Sequence, residues 1–289
     1  MDFYPVDIKH LQIIEDIRQK YRHDTSSHAF QLLYLWREVM GLTVAVGEDF
    51  FVVRSTWRGE NAYFFPCGDS EKTRNFLQSH VEEENFRLCY MRRCDVLFLQ
   101  EQFPGRFEVS YDRDACEYLY GRAEQAAMIG SEFIRLRTKL HHLEREYRLE
   151  CFPLTAENAG EAGDVTLQWA DRHVALPKFN DVSVTLEALS LLDALGLSGI
   201  LAYINGKPTS FAIGCPIAPS VYDLCLMKHC TTARGMSSYV LRDLCRRLPE
   251  KYSIINLEED LGIEGLKTHK EELRPIGLVG IWEGKPKAP

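Results

Sequence analysis

Residues 198–215, SGILAYINGKPTSFAIGC, constrain the fold more than any other stretch. Apolar side chains recur with a period of two on both sides of Asn205-Gly206. Such alternation marks strands, because successive strand side chains point to opposite faces. Asn-Gly suits a type I′ turn, which needs positive φ at both central residues. The prediction is a tight antiparallel hairpin. SVYDLCLMKH (220–229) adds a third strand to this meander.

Helical periods flank the meander. SEFIRLRTKLHHLEREYR (131–148) predicts a helix with a basic face, and LECFPL (149–154) a short strand. TAENAGEAGDVTLQWADRH (155–173) is a helix whose weak points are Gly160 and Gly163. DVSVTLEALSLLDALG (181–196) is a second, with Leu186, Leu189, Leu192 and Leu195 near one face and Gly196 at its end. Beyond the meander, ARGMSSYVLRDLCRRL (233–248) is amphipathic and YSIINL is a buried strand. GIEGLKTHKEEL is a short helix and RPIGLVGIWE a last strand.

The first half follows the same order from its helices, near 7–22 and 28–40, onward. LTVAVG and DFFVVRS pair as a hairpin, NAYFFPC is a third strand, and SEKTRNFLQSHVEEE a helix. FRLCYM, CDVLFLQEQ and FEVSYD then read strand, helix, strand. The two copies lie roughly 156 residues apart, which predicts a duplication. The expected domains are 1–130 and 131–289, with the basic helix joining them and the boundary within 112–150.

Composition narrows the function classes. With 45% hydrophobic and 26% charged residues in 289, the chain can build a large core. A net charge of −8 argues against general affinity for nucleic acid and leaves room only for a local basic patch. Nine cysteines, an odd number without a C-x-x-C pair, predict reduced thiols in a cytoplasmic protein. The start MDFYPVDIKH is no signal peptide, and no apolar run is long enough to span a membrane. No metal-ligand spacing, G-x-S-x-G elbow or G-x-x-x-x-G-K loop occurs, so the expected metal set is none.

An antiparallel meander followed by helix, strand, helix, strand resembles the GNAT acyltransferase (acyl-CoA N-acyltransferase) superfamily. YLYGRAEQAAMIGSEFIRLRTKLHHLEREY, AYINGKPTSFAIG and NLEEDLGIEGLKTHKEELRP narrow the likeness. They resemble a bacterial family of tandem GNAT-like proteins related to the C-terminal domain of phosphatidylglycerol lysyltransferase. The resemblance implies an α/β fold (α+β mixed sheet) of two tandem GNAT-like domains. In it, the fourth and fifth strands of a domain are parallel and splay apart, exposing backbone groups to an acyl donor. The helix after the fourth strand aims its N-terminus at the donor's phosphates.

The expected site residues follow from that alignment. The GNAT donor signature [RQ]-x-x-G-x-[GA] falls on Thr232-Ala-Arg-Gly-Met-Ser237. Gly235 is kept, Thr232 replaces the leading Arg or Gln, and Ser237 replaces the last small residue. Lys228, Thr232, Arg234, Gly235 and Ser237 are the donor-binding candidates. Arg234 is otherwise a solvated turn residue. This departure weakens the case for acyl-CoA and suits a charged-tRNA donor, which does not need the pyrophosphate loop.

NLEEDLGIEGLKTHK (256–270) puts Glu258, Glu259 and Asp260 at the expected splay. A carboxylate there can take the proton of an attacking amine or hold an ammonium. Clustered carboxylates also raise at least one pKa. Glu258 and Glu259 are the catalytic candidates, against a reading in which both are solvated. Asp260 is expected to cap the helix that follows. Gly262 and Gly265 point to a close backbone approach. Lys267 and His269 are candidates for stabilising the leaving group, against plain surface roles.

Trp169, Asp171, Phe179 and Asn180, with Arg172 and His173 nearby, are the acceptor-side candidates, or else packing residues between the halves. Arg135, Arg137, Lys139 and Arg145, with His141, His142 and Arg148, form the basic helix. It either meets tRNA or lipid phosphates or pairs with acidic residues elsewhere, such as 82–84. Cys230, beside the donor loop, is expected to be a core thiol.

Two functions remain open on the sequence. One is a transferase moving an acyl or aminoacyl group from acyl-CoA or charged tRNA to an amine or hydroxyl acceptor. Neither donor would be a tightly bound cofactor. The other is a catalytically silent binding protein for a small molecule or tRNA.

Overall fold

A computed structural model describes every residue except 58, 60, 173–180, 288 and 289. Two units, each built on its own mixed sheet, make up the chain. The first contains Met1–Glu117, Glu259–Ile263 and the chain from Leu278 on; the second contains Tyr118–Glu258 and Glu264–Gly277.

In chain order the first unit runs β1 (Tyr4–Pro5), α1 (Leu11–Lys20), α2 (Phe30–Trp36), β2 (Leu42–Gly47), β3 (Phe50–Ser55), β4 (Ala62–Phe64) and β5 (Cys67–Gly68). It continues with α3 (Ser70–His80), β6 (Arg87–Met91), α4 (Arg93–Gln102) and β7 (Phe107–Tyr111). The predicted hairpin forms between β2 and β3, with Leu42 facing Ser55 and Gly47 facing Phe50. β4 and β6 run parallel, Ala62 to Phe64 against Arg87 to Cys89. Phe50, Phe76, Leu77, Leu88, Met91 and Leu99 belong to this unit's core.

Next come β8 (Glu117–Gly121), α5 (Arg122–Ala127), α6 (Ile134–Glu146), β9 (Leu149–Pro153), α7 (Ala159–Arg172) and α8 (Val182–Ser190). The meander is β10 (Ser198–Ile204), β11 (Lys207–Ala218) and β12 (Val221–His229). Then follow α9 (Met236–Arg247), β13 (Ile254–Asn256), α10 (Glu264–Glu272), β14 (Gly277–Val279) and β15 (Trp282–Pro286). Asn205 and Gly206 have φ of 52° and 78°, the two positive values that the turn requires. Gly160 and Gly163 sit inside an unbroken α7, and a Cβ added at Gly163 would stand 3.6 Å from Leu186 on α8. Leu136, Leu140, Val240, Leu241, Leu244 and Ile255 are core residues of this unit.

Two features depart from the sequence reading. RPIGLVGIWE is not one strand: β14 lies at the edge of the seven-stranded sheet, whereas β15 lies between β6 and β7 in the other. The break falls at Gly280, where an added Cβ would meet the Trp282 ring at 2.7 Å. β8, from a segment assigned to the first domain, joins the second sheet beside β13. The chain therefore enters the first unit again near its end, which contiguous domains of 1–130 and 131–289 do not describe.

All nine cysteines are free, seven of them buried. Among the described residues, no helix is long and apolar enough to cross a membrane and no His/Cys/Asp/Glu group could hold a metal ion.

Candidate functional site

The parallel pair β12–β13 positions the candidate site. Val221, Tyr222 and Asp223 face Ile254, Ile255 and Asn256, and the ladder ends there. Past that point the edge of β13 is irregular. Leu257 donates its N–H to the Tyr118 carbonyl, and Tyr118 donates its own to Glu258, so two residues face one. This bulge re-aims the chain where the strands part. The Asn256 Oδ1 accepts the Glu258 N–H at 2.8 Å, and Glu258 adopts φ 56°. A non-glycine residue held in the left-handed region costs energy that the surrounding structure must offset.

Glu258 is half-buried, beside interior polar groups. Asp223 is fully buried within the apolar first part of β12. Burial drives the Cys225 thiol far above its ordinary pKa, and Cys215, Asp223 and Glu258 push it the same way. Cys225 is thus a neutral thiol, and the carboxylates around it define an acidic interior. Lys270, also buried, donates from Nζ to the Leu257 carbonyl at 2.6 Å and lies 5.6 Å from the Tyr118 ring centre. That carbonyl is the first one past the last β12–β13 rung.

The three carboxylates separate into different roles. Glu258 belongs to the second unit, Glu259 and Asp260 to the first. Asp260 is 1% exposed; its Oδ1 accepts the Gly262 N–H at 3.0 Å and its Oδ2 meets Arg113 at 3.1 Å. It fixes the turn before α10, which starts at Glu264, so it is not the cap of a helix beginning at 261. Gly262, at φ 68°, brings its backbone onto Asp114, while Gly265 has open space around it.

On α10, Lys267 is half-buried and makes no hydrogen bond or ion pair among the described residues. Burial lowers the His269 pKa, opposed by Glu272 and supported by His229, Lys139 and Lys270. Its imidazole is therefore neutral at neutral pH and able to accept a proton. The hydrogen bond from Lys139, at 2.8 Å, keeps Glu272 ionised to lower pH than usual.

The donor-loop candidates gather at the start of α9. Gly235 is its N-cap residue, at φ 95°, and no side chain caps the helix. Its leading N–H groups therefore keep their anion-binding capacity. A Cβ on Gly235 would stand 3.2 Å from the Lys139 carbonyl, so α6 passes close to the loop. Thr232 and Arg234 are exposed and Ser237 half-buried. Burial raises the Cys230 thiol, as expected of a core residue.

Lys228 is buried with partners of its own. Its Nζ donates to Asp181 Oδ2 at 2.5 Å and sits 4.6 Å from the Trp169 ring centre. The structure thus brings the donor candidate Lys228 onto the acceptor candidate Trp169. Asp171 is exposed at the end of α7. Phe179, Asn180 and His173 lie outside the described residues.

The basic helix is less available than its sequence suggests. Arg137 Nη1 donates to the Met128 and Gly130 carbonyls, both at 2.6 Å, and Lys139 pairs with Glu272. Arg148 pairs with Glu150, and Glu144 holds Arg242. The acidic partners suggested at 82–84 are used elsewhere: Glu82 pairs with Arg106 and Glu83 accepts from Tyr63. Arg135, His141, His142 and Arg145 remain exposed.

Asp181, Asp223, His229 and Glu272 escaped the sequence reading. For Asp223 there was a signal: a lone acid among the apolar residues of a strand. Lys267 and Lys270 were noticed together, and lysines of a short polar helix look alike until packing buries one of them, here Lys270.

A mixed sheet with one parallel pair followed by a helix and a strand, present once in each unit, defines a tandem GNAT protein. A tandem GNAT protein from the clavulanic acid biosynthesis pathway shares the layout, at 8% identity and TM-score 0.50 over 99% of this chain and 98% of that one. More narrowly, residues 18–279 match the family "Phosphatidylglycerol lysyltransferase, C-terminal", and the chain belongs to it. A conserved protein of unknown function from Bacteroides thetaiotaomicron is 26% identical with TM-score 0.91, covering 99% of this chain and 100% of that one. L-PGS from Bacillus licheniformis gives 13% identity and TM-score 0.65, covering 96% and 92%. No curated protein matches the chain.

Proposed function

We propose that the chain is an aminoacyltransferase that moves an aminoacyl group from charged tRNA to the amine or hydroxyl of a small acceptor, using the parted end of β12 and β13. Membership of a family named for a lysyltransferase supports the reaction class. One observation carries the choice of donor: the first backbone carbonyl past the parting, that of Leu257, is already taken by Lys270. A pantetheine arm needs such backbone groups to lie along the strands, and an aminoacyl ester does not. Thr232, in place of a phosphate-binding Arg or Gln, agrees with this.

In this reading Glu258 takes the proton of the attacking amine or hydroxyl. The nucleophile adds to the ester carbonyl, the bond to the ribose oxygen breaks, and that oxygen takes a proton from the Lys267 ammonium. Solvent then carries the proton held by Glu258 to the Lys267 amine, which restores both groups. Lys270, whose Nζ is held on the Leu257 carbonyl, is placed to stabilise negative charge that develops nearby. Exposed Arg135 and Arg145, with Arg234, supply contacts to tRNA phosphates.

A thermal-shift titration against charged tRNA, uncharged tRNA and acetyl-CoA tests the donor. A ligand selective for the folded state stabilises by about 2.7 kcal/mol at a hundredfold excess over Kd. The expected result is a shift with charged tRNA. A shift with acetyl-CoA alone overturns the choice of donor, and no shift with any of the three removes the transferase reading.

A further inference from the structure

The first unit holds a cavity that the transfer reading does not use. Its volume is about 450 Å³, and it lies between the β2–β3 turn and one face of α3. Small-molecule sites span about 300–1,000 Å³. Phe50 and Phe76 give it an apolar floor, and the His80 ring stacks on Phe76 at 4.1 Å. His80 is itself fixed, its Nδ1 lying 2.8 Å from the Phe76 carbonyl.

Charges of both signs stand on the rim. Lys72 Nζ donates to the Glu48 backbone carbonyl, which holds the ammonium at the turn. The Glu48 carboxylate makes no hydrogen bond or ion pair among the described residues, and neither does the Asn75 amide. The two opposite charges flank one cavity without neutralising each other. A ligand that carries both signs would complete both, with its apolar part on the phenylalanine floor. A ligand with a single charge would complete only one.

We propose that this cavity binds a small amphipathic zwitterion, an apolar amino acid or a dipeptide of such residues. The carboxylate meets Lys72 and the Asn75 amide, the ammonium meets Glu48, and the side chain lies against Phe50 and Phe76. The site is separate from the residues assigned to group transfer and stands whether or not that reaction is correct.

The test is a calorimetric and NMR titration of the full chain with L-leucine and L-leucyl-L-leucine. L-Leucinamide, which lacks the carboxylate, and N-acetyl-L-leucine, which lacks the ammonium, serve as probes of each end. The expected result is saturable binding of one zwitterion, weakened about tenfold or more in both blocked compounds and in Lys72→Met and Glu48→Gln. Both side chains are exposed, so the variants should melt with the parent. The free amino acid and the dipeptide are told apart by which saturates first. No saturable binding up to about 10 mM overturns the proposal. So does equal binding of either blocked compound, or unchanged affinity in the two variants.

Discussion

The helices that follow the meander of each unit, α3 and α9, begin differently. In the first unit, Asp69 caps α3, its Oδ1 accepting the N–H groups of Glu71 and Lys72 at 3.0 and 3.1 Å. In the second, Gly235 precedes α9 and no side chain caps it. A helix start offers unpaired N–H groups and a positive dipole end to one anion. The first unit fills that place with its own carboxylate; the second leaves it open. The strands above the helices differ in the same sense. Beyond β4, the Phe65 carbonyl receives the His28 Nε2 at 2.9 Å, and the Phe64 and Tyr90 rings pack at 4.5 Å. At the end of the β12–β13 ladder lie Asp223, Glu258 and Lys270. One copy of the fold has filled this end of its sheet with aromatic core, and the other has kept charged side chains there.

The strongest way to break this contrast is to remove the carboxylate. Glu258→Gln should cut transfer from charged tRNA by about 10²–10⁴-fold, the worth of a general base. Melting should hardly change, since the side chain is half-buried and its backbone hydrogen bonds remain. Single-turnover transfer at parental rate in this variant would remove Glu258 from the mechanism and leave Asp223 as the remaining acid.

Acid should separate the two units. His23 and His28 stack at 3.8 Å, both buried, with Arg18 and Arg92 adding positive charge around them. Burial pushes His28 down to about 3 and His23 well below its ordinary range. A depressed histidine pKa means that the unfolded chain binds more protons than the folded one between the two pKa values. Stability is therefore complete above about pH 6.5 and falls as pH drops towards 3. His28 alone accounts for a loss of several kcal/mol across that window, on the order of 1.4 kcal/mol per pH unit. Hydrogen exchange at pH 4–5 should show amides of the first unit opening before those of β10–β12. Equal opening would mean that the buried imidazoles carry no such penalty.

How much of this was readable beforehand depends on whether the cue is local. Asn205-Gly206 prescribes its turn through two positive φ values, and α9 was placed within three residues at each end because its apolar period is unbroken. EYLYG at 117–121 carries no sign of which sheet it joins, because its partner Ile254–Asn256 lies far along the chain. The division of RPIGLVGIWE between two sheets was hidden for the same reason. Glu258, Glu259 and Asp260 look equivalent as letters. What separates them is the bulge opposite Tyr118 and the guanidinium of Arg113, both set by tertiary contacts.

Gly235 tests whether the open helix start matters. An alanine there must hold φ near 95° with its Cβ 3.2 Å from the Lys139 carbonyl. Left-handed backbone alone costs a residue with a side chain about 1–2 kcal/mol. Gly235→Ala should lower the melting temperature and weaken charged-tRNA binding together. A thermal-shift titration that shows lower stability with unaltered affinity would place the tRNA phosphates away from α9.

The smallest effect belongs to the opposite exchange. Asp69→Ala takes from α3 a cap that holds two N–H groups, and such caps contribute about 0.5–2 kcal/mol. Chemical denaturation should show a loss of that size. Freed of its own carboxylate, the α3 start should also take up sulfate weakly, so that part of the loss returns in sulfate and not in chloride at equal ionic strength. The parent should lack this selective recovery at α3, because Asp69 already fills the place. Recovery of equal size in the parent would show that the cap never closed the helix to anions. The difference between the two units would then rest on the strands alone, on His28 over Phe65 and on Lys270 over Leu257.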